Sequence, residues 1–405
     1  MRCLLPIGLL VLAGCASVAD TGVAAAGAAG TGDQVQLVVA GPPLDAPQDW
    51  QRQFYTMPAT VQSVEDGGLV AQAWSMLGRE DRAARLGQSE YVPAECALLP
   101  GSPTGWDAVA DAIAAQATRH RIMIINESHV VTRHRHMTRS LLPRLHALGF
   151  RALAAETFFN PGEPVPISNQ PGIHWPRQDD GFYSREVAFG RMVRDAKAQG
   201  FRLYGYENIG DGEPPENESI AQRISRREEA QARNLAAIMA TLAPDERLIV
   251  HVGYSHALEV PRPARDDEGG GPDISFMAAR LKALTGIDPL TIAQTHCRHA
   301  EGEAILAEAP ASVPPGGFDM VISHQIDLFV QHRPQWRRDA GDIPVAIPAA
   351  LRPTAEPLVI EAFGWDEPFT AVPMDRMLVE PGEDIPLMLP PGQYRVRAVR
   401  MVAQP

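Results

Sequence analysis

The sequence predicts an α/β fold: a mostly parallel sheet flanked by helices, followed by a small C-terminal β appendage. Three observations carry that prediction. Between residues 100 and 330 short apolar strands alternate with helical stretches, the order that builds a parallel sheet with right-handed crossovers. The strand Ala152–Ala155 is apolar on both faces, as a buried parallel strand is. Nearly every strand then runs out into a Glu or a His: Glu127 and His129, Glu156, Glu207, His251 and His256, His296, His324. The carboxyl ends of a parallel sheet share one edge, where ligands bind, so these scattered side chains should converge.

The chain opens on a targeting segment, residues 1–14. Arg2 supplies the positive start and Leu4–Leu12 the apolar stretch, which is too short to span a bilayer. Leu12-Ala13-Gly14-Cys15 resembles the bacterial lipoprotein signal, which implies acylation of Cys15 and, with Ala16 rather than Asp next, the periplasmic face of an outer membrane. Residues 15–48, rich in Ala, Gly, Thr and Asp, read as a flexible tether. No later stretch is apolar enough to cross a membrane, so membrane contact is expected through the lipid anchor only. A net charge of −13 without a basic stripe argues against nucleic acid.

Residues 49–99 form an N-terminal helical extension with a helix around Gly68–Leu86, expected to pack on the main body. Residues 100–333 are expected to form the α/β domain and to carry the chemistry, because all twelve histidines lie between His120 and His332. Its helices are expected over Thr104–Thr118, with Thr104 as cap and Asp107 in the first turn, and over Thr132–Leu148, kinked or shortened by Pro143. Two more are expected over Ser184–Gln199 and Asn217–Leu242. Residues 342–405 read as a small β domain, with strands at Leu358–Phe363, Arg376–Val379 and Gln393–Val402. With Cys3 in the signal and Cys15 lipidated, Cys96 and Cys297 either pair or stay as free thiols. No Cys-x-x-Cys spacing suggests a thiolate zinc site.

Within the domain, Glu127 and His129 leave a strand two residues apart, placing a carboxylate where it can orient a proton-accepting imidazole. His134 and His136 sit two apart on the next helix, so at most one joins the site; alternation with Arg133 and Arg135 also fits a solvated face. Glu156 and Glu207 end strands as acids that need partners. Arg227, Gln231 and Asn234 interrupt the apolar stripe of the long helix. Arg227 should therefore meet Glu127, Glu156 or a bound anion. In His251-Val252-Gly253-Tyr254-Ser255-His256, Gly253 permits a tight turn, His256 reaches over the sheet edge, and His251 points into the core.

These residues resemble a superfamily of ChaN-like, erythromycin-esterase-like and TraB/Tiki proteins. Glu127-Ser128-His129 is similar to its Gly-Glu-x-His signature, and Glu156 to the acid ending its second strand. Arg227-Glu228-x-x-Gln231-Ala232-x-Asn234 is similar to its Arg-Asp-x-x-Met-Ala-x-Asn helix, and Gly253-Tyr254-Ser255-His256 to its second Gly-x-x-His element. Asn126, Glu228 and Gln231 depart from the pattern, and Asn126 adds a side chain beside the proposed base. The resemblance implies His129 as general base, with Glu127, Glu156, Arg227 and His256 around it.

Two functions follow as expectations. One is a lipid-anchored hydrolase of esters or amides, either metal-free or with Glu127, His129, Glu156 and His256 holding a divalent metal. The absence of Gly-x-Ser-x-Gly argues against a serine nucleophile. The alternative is a haem- or iron-binding lipoprotein of the ChaN-like type, with His134, Tyr254 and Asn234 at the cofactor and His129, His134 or Tyr254 as axial donors. A third reading keeps the cluster only as a structural network.

Overall fold

The computed structural model describes residues 34–46, 55–58, 64–87, 93–167, 173–209, 217–264, 268 and 272–402. The signal and Cys15 lie outside these residues.

The fold is α/β. An eight-stranded sheet runs in the order Arg202–Gly205, Phe150–Ala155, Arg247–Gly253, Ile122–Glu127, Leu290–His299, Met320–Gln325, Ile305–Ala307, with Ala94–Glu95 paired beside Leu290–His299. All pairings are parallel except that of Ile305–Ala307. The pleat divides the side chains between two layers. Met123 and Ile125 pack with the helices Trp106–Ala117, Arg133–Ala147 and Val187–Ala198 on one face. Ile122 and Ile124 pack with Ile220–Thr241 and Met277–Thr285 on the other. The chain changes face after Arg202–Gly205, and Arg247–Gly253 returns between two strands already laid down.

Helix boundaries follow their caps. Ile220–Thr241 begins with a capping box in which Ser219 and Gln222 satisfy each other's backbone N–H. Glu186 caps Val187–Ala198 by accepting from Ala188 and Phe189, which moves that start three residues beyond the expected Ser184. Thr104 makes no cap: Gly105 precedes the helix, and Asp107 instead meets Arg144. Helix Arg133–Ala147 runs through Pro143 without being shortened.

Two further expectations are corrected. The tether segment contributes a strand, Val35–Val39, which pairs parallel to Gly392–Arg400 in a four-stranded sheet with Leu358–Gly364 and Asp375–Val379. The single helix of the N-terminal extension is two, Val64–Met76 and Glu80–Gly87. They are broken at Gly78, whose φ of +72° and contact with the Arg376 carbonyl leave no room for a Cβ. That hairpin packs Met76 and Leu77 against Val359, Leu378 and Val399 of the appendage.

The appendage is riveted to the α/β domain by buried ion pairs. Arg333 and Arg337 share Asp375 at 2.6 and 2.8 Å, and Arg337 and Arg191 share Asp342 at 3.0 and 2.8 Å. Two guanidiniums on each carboxylate, further bonded to Met388 backbone groups, satisfy charges that burial would otherwise penalise.

Of the two alternatives for the thiols, the structure has the disulfide. Cys96 and Cys297 are joined with their Cα atoms 5.5 Å apart and 201 residues apart in sequence. Closing so long a loop restricts the unfolded chain. A Cys96→Ser/Cys297→Ser variant should lose about 2–4 kcal/mol of unfolding free energy, read from urea midpoints; an unchanged midpoint would refute that contribution.

Candidate active site

The site grows from one buried carboxylate. Glu127 continues the alternation of Met123 and Ile125, so it points to the face covered by helices Arg133–Ala147 and Val187–Ala198. There it accepts four hydrogen bonds. Arg135 donates from Nε (2.7 Å) and Nη2 (2.9 Å), His251 lies at 2.8 Å, and His129 Nδ1 at 3.1 Å. Burial alone would raise this carboxyl, but Arg135 and then His251 outweigh it and hold Glu127 well below the usual range.

His129 is thereby fixed at one nitrogen. Tyr183 stacks on its ring at 4.2 Å and Tyr254 meets it edge-on at 5.1 Å. The opposite side of the ring faces Gly253, where a Cβ would lie 2.7 Å from Nε2. Only glycine permits that approach.

A second carboxylate gathers the other half. Glu156 accepts from the Gly253 N–H at 2.7 Å and from Arg227 Nη2 at 2.5 Å. Burial pushes it up, but His256, His129 and Arg227 bring it down to about 2. Arg227 also binds Glu207 through Nε at 3.1 Å, and its side chain is 38% exposed, so it spans from site to solvent. His256 lies 3.2 Å from Arg227 Nη1 through Nε2 and 2.6 Å from Glu228 through Nδ1. Burial opposes the charged ring, yet Glu228 and Glu156 raise its pKa above the ordinary histidine value.

The structure therefore brings together Glu127, His129, Glu156, Arg227 and His256. Arg227 meets Glu156 and Glu207 and not Glu127. Asn234 holds the Tyr206 carbonyl at 2.9 Å, a role at the strand end. Asn126 does not crowd His129: it points to the opposite face, donating to the Tyr254 carbonyl at 2.7 Å and to Thr295. That bond supports Tyr254 at a φ of +42°, a conformation a bulky residue rarely adopts. His134 is buried with Nδ1 accepting from the Ser128 N–H at 3.0 Å, and burial holds it down to about 3. The run Arg133-His134-Arg135 is buried rather than a solvated face.

The four proposed metal ligands do not fit an ion. Glu127 has its acceptor sites taken by four donors, and Glu156 is bound to Arg227 and Gly253. Among the described residues, no group of three or more His, Cys, Asp or Glu gathers to hold a metal.

Several working residues escaped the sequence. Arg135 had a signal: with Thr138, Leu142 and Leu145 it lies on one helical face, the buried one. His251, expected in the core, is there, but between Glu127 and Thr138 as part of the network. Tyr183 comes from a single 3-10 turn, Tyr183–Arg185, too short to carry a periodic signal.

No protein-family model matches the chain, and no curated protein does. Among solved structures, the type III effector HopBA1 is 15% identical with a TM-score of 0.33, over 57% of this chain and 97% of that one. RRSP, a MARTX toxin effector domain from Vibrio vulnificus CMCP6, is 13% identical with a TM-score of 0.30, over 44% of this chain and 34% of that one. These are distant likenesses and none bears on what the chain does.

Glu127→Gln should cost about 3–5 kcal/mol in urea unfolding, since it leaves the buried Arg135 with Glu186 as its one remaining carboxylate and puts an amide N–H2 among the donors Arg135, His251 and His129. A loss under 1 kcal/mol, by the same standard for ordinary pairs, would contradict this. Acid should unfold the protein through the same groups. Glu127 and Glu156 are depressed from an ordinary 4.5, so their stabilisation is full above that value and is lost as pH falls toward 2. Tm measured from pH 6 downward should be steady at first and then drop; a flat profile would be the contrary result.

Proposed function

We propose that this chain is a metal-free hydrolase of ester or amide bonds, with His129 as general base. One observation carries the reading: His129 is held at Nδ1 by a buried, ionised Glu127, while its other side faces Gly253 and the Glu156 cluster. In this reading Nε2 takes a proton from water, and the hydroxide adds to the carbonyl carbon. The oxyanion that forms is faced by Arg227, which His256 and Glu156 hold in place. Its collapse breaks the bond to the alcohol or amine, which leaves with the proton held by His129. Glu127 orients the ring and balances its transient positive charge. Glu156, ionised at neutral pH, serves to position Arg227 and the Gly253 backbone and is not the acid.

The resemblance of Glu127-x-His129, Glu156, Arg227 and Gly253-x-x-His256 to the superfamily supports this assignment. Hydrolysis is favoured over a haem-binding role because ionised carboxylates and Arg227 crowd the site. We further propose that the protein works outside the cytoplasm on a lipid anchor at Cys15. The disulfide supports an oxidising compartment.

The test is hydrolysis of a panel of aryl esters and anilides by the full chain. His129→Ala should lower kcat/KM by about 100- to 10,000-fold on any substrate that is turned over, with chelation leaving the rate unchanged. A His129→Ala rate equal to that of the parent, or loss of activity on chelation, would sink the mechanism.

A further inference from the structure

A cavity of about 310 Å³ lies between the helical hairpin 64–87 and the sheet edge. It shares Ser128 and Tyr254 with the surroundings of His129 but not His129 itself. Its apolar wall includes Val130, Val131 and Ile326, and its polar wall Arg133, Arg298 and His324.

Two features make it a built site. The first is charge. Arg133 pairs with Asp327, whereas Arg298, half-buried, has no ion-pair partner among the described residues. Glu80 acts on Arg133 from the helical side, but burial pushes its carboxyl up to about 7. The balance at the wall is positive.

The second is an unmatched pair of polar atoms. Gln294 Nε2 donates to the Asn126 carbonyl at 2.8 Å and the His134 carbonyl at 3.2 Å, which fixes its oxygen toward His324 Nε2 at 2.9 Å. His324 Nε2 must therefore carry the proton, leaving Nδ1 an acceptor. That Nδ1 is buried without a donor, and Arg133 Nε is buried without an acceptor. Each bears a desolvation cost that a ligand would relieve.

We propose that this cavity binds a small hydroxy- or amino-carboxylate carrying an apolar substituent. Its carboxylate meets Arg298 and Arg133, its O–H or N–H donates to His324 Nδ1, and its substituent lies against Val130, Val131 and Ile326. Burying the apolar part supplies affinity, and the polar atoms supply selection.

The probes are mandelate, phenylacetate, which lacks the hydroxyl, and mandelamide, which lacks the charge. Each is titrated calorimetrically into the full chain. Mandelate should bind, with each of the others about tenfold weaker or worse, the size of one lost hydrogen bond or charge contact. Arg298→Gln, at a half-buried position without an ion pair, should weaken mandelate at least about tenfold, and Val131→Phe should block it by filling the cavity. His129→Ala should leave mandelate binding unchanged. Equal binding of all three probes, no binding of mandelate, or unaltered affinity in Arg298→Gln would each overturn the proposal. Loss of binding in His129→Ala would place the ligand on the His129 site and overturn it too.

Discussion

The buried charge of Glu127 is the constraint on which the rest depends. A carboxylate at the end of a central strand, cut off from water, is tolerable only when its lone pairs are filled. Arg135 fills two of them and in turn binds Glu186, the cap of the next helix, and the His129 carbonyl. His251 fills a third from the neighbouring strand and is braced by Thr138. One acid thus ties two strands to two helices, and His129 takes the last position. The orientation of the imidazole is a by-product of solving the burial problem.

The second carboxylate solves a different problem on the other side of the sheet edge. Glu156 sits one residue past its strand, so it has left the pleat and can turn toward helix Ile220–Thr241. Arg227, Glu207, Glu228 and His256 form an alternating chain of charges around it. Gly253 lies where the two halves meet: its N–H serves Glu156, and its missing side chain admits His129. A site with two ionised carboxylates stays compact because each is neutralised from its own face.

The surroundings hold this edge in place. The unusual φ of Tyr254 persists because Asn126 grips its carbonyl from a neighbouring strand. The side chain of Asn126 therefore has a structural use. Further out, Asp342 and Asp375 bind the β appendage to the α/β domain. The appendage lends no histidine to the site, but its contacts with Gly78 and with helix Val187–Ala198 brace the layer that carries Glu186.

The fold class and the edge where polar residues gather could be read from the residues alone, because strand and helix periods are local properties. Glu127, His129, Glu156 and His256 were legible because an acid or histidine at the end of an apolar strand stands out, and Arg227 because it interrupts the apolar stripe of its helix. The sequence placed Ser184, Thr104 and the tether wrongly, because caps and edge pairing depend on partners distant in the chain. Long-range packing set which groups meet: Arg227 with Glu156 and Glu207, Arg135 with Glu127, and Cys96 with Cys297 as a disulfide. It alone drew Arg133-His134-Arg135 inward and set Tyr183 on His129. Those outcomes rest on which elements become neighbours, and a burial cost for a charge is defined only once its neighbours are known.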